Sequence, residues 1–180
     1  MRICPAPLRS RISTVRPRAS LRSSSSARVS ASFAGAAAAE TAVLRRLGAG
    51  TGVQLVDGSG LSPDDRVTPA ALTSLVALAS GPAHPRLRSA ITGMPVAGFS
   101  GTLAPDQSVF GHFKAPALGV VQAKTGNLDT VAAMAGLAYD KQGQVLDFAF
   151  MADQVSPASL SQAAAQIDAM VTALAGCGCR

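Results

Sequence analysis

Apolar positions along the chain fall into patterned stretches separated by connections rich in Gly and Pro. In SFAGAAAAETAVLRRLGAG, which starts at Ser32, Phe33, Ala36, Val43, Leu44 and Leu47 recur near helical spacing. Alanine is the best helix former, and Gly48 and Gly50 suit a helix C-terminus, so the spacing predicts a helix. Residues 53–56 read as a short strand running into a loop of Gly, Ser, Pro and Asp, where Gly58 and Gly60 permit backbone angles other residues avoid. Thr68 is a natural N-cap with Pro69 at the first helical position, predicting a helix to about Ala79 with Leu72, Leu75, Val76 and Ala79 on its apolar face. From residue 81 to 113, Gly81-Pro82, His84-Pro85, Met94-Pro95, Gly98, Gly101 and Pro105 predict irregular chain. A short apolar run then leads into Lys124-Thr125-Gly126, and two further runs, 131–139 and 144–151, flank the turn Asp140-Lys141-Gln142-Gly143; all three read as strands. Ser156-Pro157 repeats the cap-then-proline signal, and Leu160, Ala164, Ile167, Met170, Val171 and Leu174 mark the face of a last helix ending at Gly176. The pattern predicts an α/β fold with helices packed on an antiparallel sheet.

Composition changes this picture in two places. Of 180 residues, 48% are apolar, enough to bury a core in one domain or part of a larger one. The net charge of +6 is not a property of the whole chain: residues 1–39 hold seven Arg and no acid, whereas 40–180 hold six Arg and three Lys against ten acids. A nucleic-acid surface needs basic residues spread over a folded face, so no nucleic-acid partner is expected. An Arg-rich tail that binds nucleic acid or membrane is the weakest of the functional readings. Residues 1–31, rich in Arg, Ser and Pro, are expected to be disordered. They lack the uninterrupted apolar stretch of a secretory signal, so no export signal is expected here, although their composition would suit an organellar transit peptide. The preferred reading is that they are not native to the fold and that 32–180 form the folded part. No run approaches the roughly 20 apolar residues of a membrane span. Cys4, Cys177 and Cys179 make no disulfide framework, and Cys177-Gly178-Cys179 lacks the partners a zinc site needs, so neither metal nor cofactor is expected. His84, beside a proline, and His112, in a glycine-flanked loop, read as surface residues.

Lys-Thr-Gly at the end of a strand and followed by a hairpin is found in the penicillin-recognising serine enzymes, whose set is S-x-x-K, S-x-N and K-T-G. Three blocks stand in order: LVDGSGLSPDDRVTP, HPRLRSAITGMPVAGFSGTLA and AKTGNLDTVAAMAGLAYDKQGQVLDFAFMAD. Together they resemble the C-terminal part of the D-alanyl-D-alanine carboxypeptidase/endopeptidase family of the penicillin-binding protein 4 type. The resemblance implies the C-terminal part of a penicillin-binding-protein/β-lactamase-like transpeptidase fold and, for the parent enzyme, action outside the cytoplasm on peptidoglycan stem peptides ending in D-Ala-D-Ala, with β-lactams as ligands. It also implies roles. Lys124 would hold positive charge near the substrate's terminal carboxylate, and the Thr125 hydroxyl would donate to the same group. Gly126 would let the substrate backbone approach, and Asn127 would offer its backbone amide to the oxyanion. Leu128 and Asp129 would lie on the peptide's acyl side. Arg66 is a candidate for an anionic group of the stem peptide, the rival reading being an ion pair with Asp57, Asp64 or Asp65.

The departures bear on activity. The lysines are Lys114, Lys124 and Lys141, and three places before them stand Gly111, Val121 and Ala138, so the sequence holds no S-x-x-K. Asn127 is the one asparagine, with Thr125 two places before it, so there is no S-x-N. The expectation is a serine-type carboxypeptidase by descent, present as a fragment and inactive alone, with the missing residues encoded upstream. The alternative is a non-catalytic module that binds muropeptides.

Overall fold

The computed structural model describes residues 31–105 and 109–178; the leader up to residue 30, Cys4 and Cys179 lie outside them. Helix α1 (Phe33–Arg46) opens on Ser32, whose hydroxyl accepts from the Gly35 amide at 3.1 Å. A ribbon of two short strands, β1 (Val53–Gln54) and β2 (Arg66–Val67), leads into α2 (Pro69–Ser80), capped by Thr68 through the Ala71 amide. After a 3-10 turn at Pro85–Leu87 comes α3 (Arg88–Thr92), and a second 3-10 turn spans Gly101–Leu103. Strands β3 (Val121–Leu128), β4 (Val131–Tyr139) and β5 (Val145–Ala152) form an antiparallel sheet in that order, with Val121 opposite Ala138 and Ala138 opposite Leu146. Helix α4 (Leu160–Ala175) closes the chain.

Side chains alternate across a strand, so the register sorts the sheet into two faces. Val121, Ala123, Met134, Ala138 and Phe148 join Ala164, Ile167, Val171 and Ala175 of α4 in the larger core. Leu137 and Ala135, on the opposite face, pack with Val76 and Ala79 of α2 and Ile91 of α3. Burying each of the larger aliphatic side chains contributes roughly 1.5–3 kcal/mol, so α4 is held by its Ile167–Val171 stripe. The strands meet closely at Gly136: a Cβ there would lie 2.1 Å from the Gln122 carbonyl oxygen and 2.6 Å from Ala123 Cα.

Several elements differ from the sequence pattern for identifiable reasons. The strand expected at 53–56 stops at Gln54, because the Val56 amide donates to Asp65 Oδ1 at 2.7 Å rather than to a partner strand. The apolar stripe of α1 is not buried: Phe33 is 73% and Val43 41% exposed. Val43 and Leu44 instead line an open cavity of about 450 Å³ with Val53, Leu55, Leu72 and Leu75, which leaves the last two only half-buried. Helix α3 was not expected in the Pro-rich stretch; Pro85, at the first position of the preceding turn, starts helical structure instead of breaking it. Ser156 donates to Ser159 Oγ at 2.9 Å rather than capping α4, which begins one 3-10 turn later. Met170, expected on the buried face of α4, is 45% exposed, and Asp168 is buried in its stead.

Asp168 ties the loop before β3 to the last helix. It is 1% exposed, and its Oδ2 accepts from the amides of Gly111 (3.1 Å) and His112 (2.9 Å), while Oδ1 has no partner among the described residues. Burial pushes its carboxyl up from the ordinary range, against the opposing pull of the two amides and the His112 ring. The D168A variant leaves two amides without an acceptor and should lose about 2 kcal/mol of stability in denaturant titrations. Because the folded pKa is raised, the protonated carboxyl favours folding in acid, and that contribution is lost as pH rises through the raised value. The margin of wild type over D168A should therefore be wider in acid than at neutrality.

Candidate active site

The outer edge of β3 is half covered. The segment before the Gly101–Leu103 turn runs antiparallel to it: Val96 bridges Gln122, the Ala97 amide donates to the Val121 carbonyl at 3.0 Å, and the Ala123 amide donates to the Pro95 carbonyl at 3.0 Å. On the inner side, the Tyr139 amide donates to the Val120 carbonyl. In an antiparallel pair, alternate residues direct both backbone groups to the same side. Odd-numbered residues of β3 therefore aim outward, and even-numbered ones aim at β4. The cover ends at Pro95, so the outward N–H groups of Thr125 and Asn127 have no partner among the described residues. These are the residues of the Lys-Thr-Gly-Asn stretch.

The side chains at this edge divide between the two faces. Lys124 is exposed, stands on the face of Leu137 and α2, and folds its Nζ back to the Thr125 carbonyl at 2.5 Å. Thr125 lies on the α4 face, 8% exposed, with its Oγ1 2.8 Å from Thr102 Oγ1 on the 3-10 turn. Leu128 is half-buried at the strand end, and Asp129 is exposed in the two-residue turn to β4. An ammonium, a hydroxyl and two outward amides are thus gathered within four residues, a set suited to an extended peptide ending in a carboxylate.

Arg66 stands apart from this group, on the β1–β2 ribbon. Its Nη1 donates to the carbonyls of Pro63 (2.7 Å) and Asp65 (2.8 Å), so it pins its own loop through the backbone. Two of the carboxylates expected to pair with it are occupied elsewhere: Asp65 Oδ1 holds the Val56 amide, and Asp57 Oδ1 holds the amide and hydroxyl of Ser59. Cavities of about 420 and 450 Å³ flank α1, and neither is lined by Lys124, Thr125 or Asn127. Lys124 stands on an open strand edge.

Two residues with a structural part, Thr102 at the edge and Asp168 under the loop before β3, were not singled out in the sequence. Thr102 lies inside the SGTL stretch, with no signal of its own beyond that block. Asp168 could have been found as the one acid on an otherwise apolar helical face.

Gly126 and Gly136 differ in what they answer to. A Cβ on Gly126 would meet only Ala133 Cβ within 4 Å, at 3.6 Å, an ordinary contact. The fold therefore has room for a side chain at 126 and none at 136.

The model of the D-Ala-D-Ala carboxypeptidase 3 (S13) family matches residues 21–174. The chain is 39% identical over 149 residues to carboxypeptidase DacB of Mycolicibacterium smegmatis and 38% identical to a carboxypeptidase of Mycobacterium tuberculosis. Each match takes in 82% of this chain and 31% of the relative, so the chain spans about a third of the length of these curated relatives. Among solved structures it is similar to penicillin-binding protein 4 (dacB) of Haemophilus influenzae complexed with a β-lactam, at 27% identity and a TM-score of 0.59, over 78% of this chain and 34% of that one. A predatory endopeptidase of Bdellovibrio bacteriovorus in complex with an immunity protein shares the fold, with a TM-score of 0.57 at 18% identity, over 77% of this chain and 36% of that one.

The contrast between the glycines gives a test. G136A should destabilise the protein by more than about 1 kcal/mol, the order of cost of overpacking a tight site. G126A should leave the thermal midpoint unchanged while obstructing whatever lies against the edge.

Proposed function

The chain belongs to the D-Ala-D-Ala carboxypeptidase S13 family, and from that premise we propose that it carries the substrate-holding edge of a serine-type carboxypeptidase acting on peptidoglycan stem peptides. The observation that supports this reading is the end of the edge cover at Pro95, which leaves the amides of Thr125 and Asn127, beside Lys124, without a partner among the described residues. A peptide ending in D-Ala-D-Ala would add to that edge as a short antiparallel strand. Its terminal carboxylate would accept from Lys124 Nζ and Thr125 Oγ1, the ammonium turning from its present bond to the Thr125 carbonyl. The Asn127 amide would face the scissile carbonyl and donate to the oxygen that gains charge on attack. The Gly126 backbone would let the peptide come close, and Leu128 and Asp129 would border its acyl side. Arg66 would meet the stem peptide only if its guanidinium left the Pro63 and Asp65 carbonyls.

Acyl transfer also needs a nucleophile and a base, and the sequence holds neither S-x-x-K nor S-x-N. Loss of the nucleophile costs a serine enzyme about six orders of magnitude in rate. We therefore read this chain as unable to acylate by itself, its complete relatives being the active form. Such a parent would work outside the cytoplasm and take β-lactams, in keeping with the β-lactam complex of the Haemophilus protein. No helix among the described residues is long and apolar enough to cross a membrane. The second reading, a muropeptide-binding module without catalysis, is favoured by the joint presence of Lys124 and Thr125 where the nucleophile is missing.

Two measurements test the proposal. Fluorescent penicillin should form no covalent adduct with this chain; a stable adduct would contradict the assigned inactivity. A D-Ala-D-Ala peptide should bind saturably, and K124A should weaken binding about tenfold or more by removing a charge-assisted bond. A folded protein that shows no saturable binding would remove both readings.

A further inference from the structure

The Lys-Thr-Gly edge meets a side chain from outside its own strand. Thr102 Oγ1 lies 2.8 Å from Thr125 Oγ1, and either oxygen can be the donor. Thr102 is exposed, but its backbone is fixed. Leu103 beside it is fully buried, the Gly98 amide donates to the Leu103 carbonyl at 2.9 Å, and Ser100 Oγ accepts from the Val96 amide at 3.0 Å. At Gly101 φ is +54°, and a Cβ there would come within 2.9 Å of Pro95 Cγ, so the turn follows the edge cover closely. The segment that covers the first half of β3 thus returns to deliver one hydroxyl where the cover stops.

Two hydroxyls at this separation share one hydrogen bond, and its direction matters. If Thr125 donates to Thr102, the Thr125 proton is spent. If Thr102 donates to Thr125, that proton is free for an anion at the edge. We propose that Thr102 is a positioning residue that holds Thr125 as a donor toward a ligand carboxylate, and so makes the edge select peptides with a free C-terminus over those with a blocked one. The inference deepens the reading of the edge given above and rests on it.

The test uses the full chain tethered at low density to a sensor surface. The probes are an Nα-acetylated peptide ending in D-Ala-D-Ala and its C-terminal amide. Wild type should prefer the carboxylate. T102V, which keeps the side-chain shape without the hydroxyl, should lose about threefold to tenfold in affinity for the carboxylate and little for the amide, the worth of one hydrogen bond. T102S should restore the preference. A purely structural role for Thr102 would weaken both peptides alike, and thermal midpoints of the three proteins show whether each is folded. An unchanged carboxylate-to-amide ratio in T102V, or a T102S variant as impaired as T102V, overturns the assignment of Thr102 alone. Wild type that binds neither peptide overturns the reading of the edge, and the role of Thr102 with it.

Discussion

Backbone N–H and C=O groups demand partners, and where a sheet ends they demand them from outside the sheet. In this chain the demand is met along half of one strand. The Pro95–Ala97 segment satisfies β3 at Val121 and Ala123, and Thr125 and Asn127 are left facing outward. The position of that stop decides which side chains border the open half: Lys124 on one face, Thr125 on the other, and Thr102 at the boundary. A pairing one residue out of register would exchange the faces and send Lys124 toward the α4 core, so the placement of these side chains depends on the register.

The register is in turn held by packing. Gly136 allows β4 to lie against the backbone of β3 with no room for a methyl group. Ile167 and Val171 of α4 clamp the face that carries Val121 and Met134, while Leu137 anchors the other face to α2 and α3. Asp168 extends the clamp to the Gly111–His112 loop, at the cost of a buried carboxylate oxygen with no partner among the described residues. The parts farthest from this sheet are the least enclosed. Helix α1 and the β1–β2 ribbon flank an open cavity, with Val43, Leu72 and Leu75 lining it.

The sheet and its two main helices were legible because each carries a local signal: apolar runs bounded by turn residues for β3–β5, a cap with proline for α2, and an apolar stripe for α4. The Lys-Thr-Gly edge was legible from the ordered blocks. The details that were not legible depend on long-range partners. Val56 leaves the strand because a carboxylate nine positions downstream in the folded loop takes its amide. Arg66 reads in sequence either as an anion-binding side chain or as an ion-pair partner of Asp57, Asp64 or Asp65, yet it donates to backbone carbonyls of its own loop. The contact between Thr102 and Thr125 joins residues 23 positions apart, across a turn whose composition suggests only irregular chain.

On the proposed reading, the uncovered half of β3 receives a peptide through the Thr125 and Asn127 amides. Amide NMR during titration with a D-Ala-D-Ala peptide addresses this directly. These two amide signals should shift together and become protected from exchange, with Ala123, already bonded to Pro95, little changed. Saturable binding that leaves both amides unmoved and shifts residues around α1 instead would contradict it.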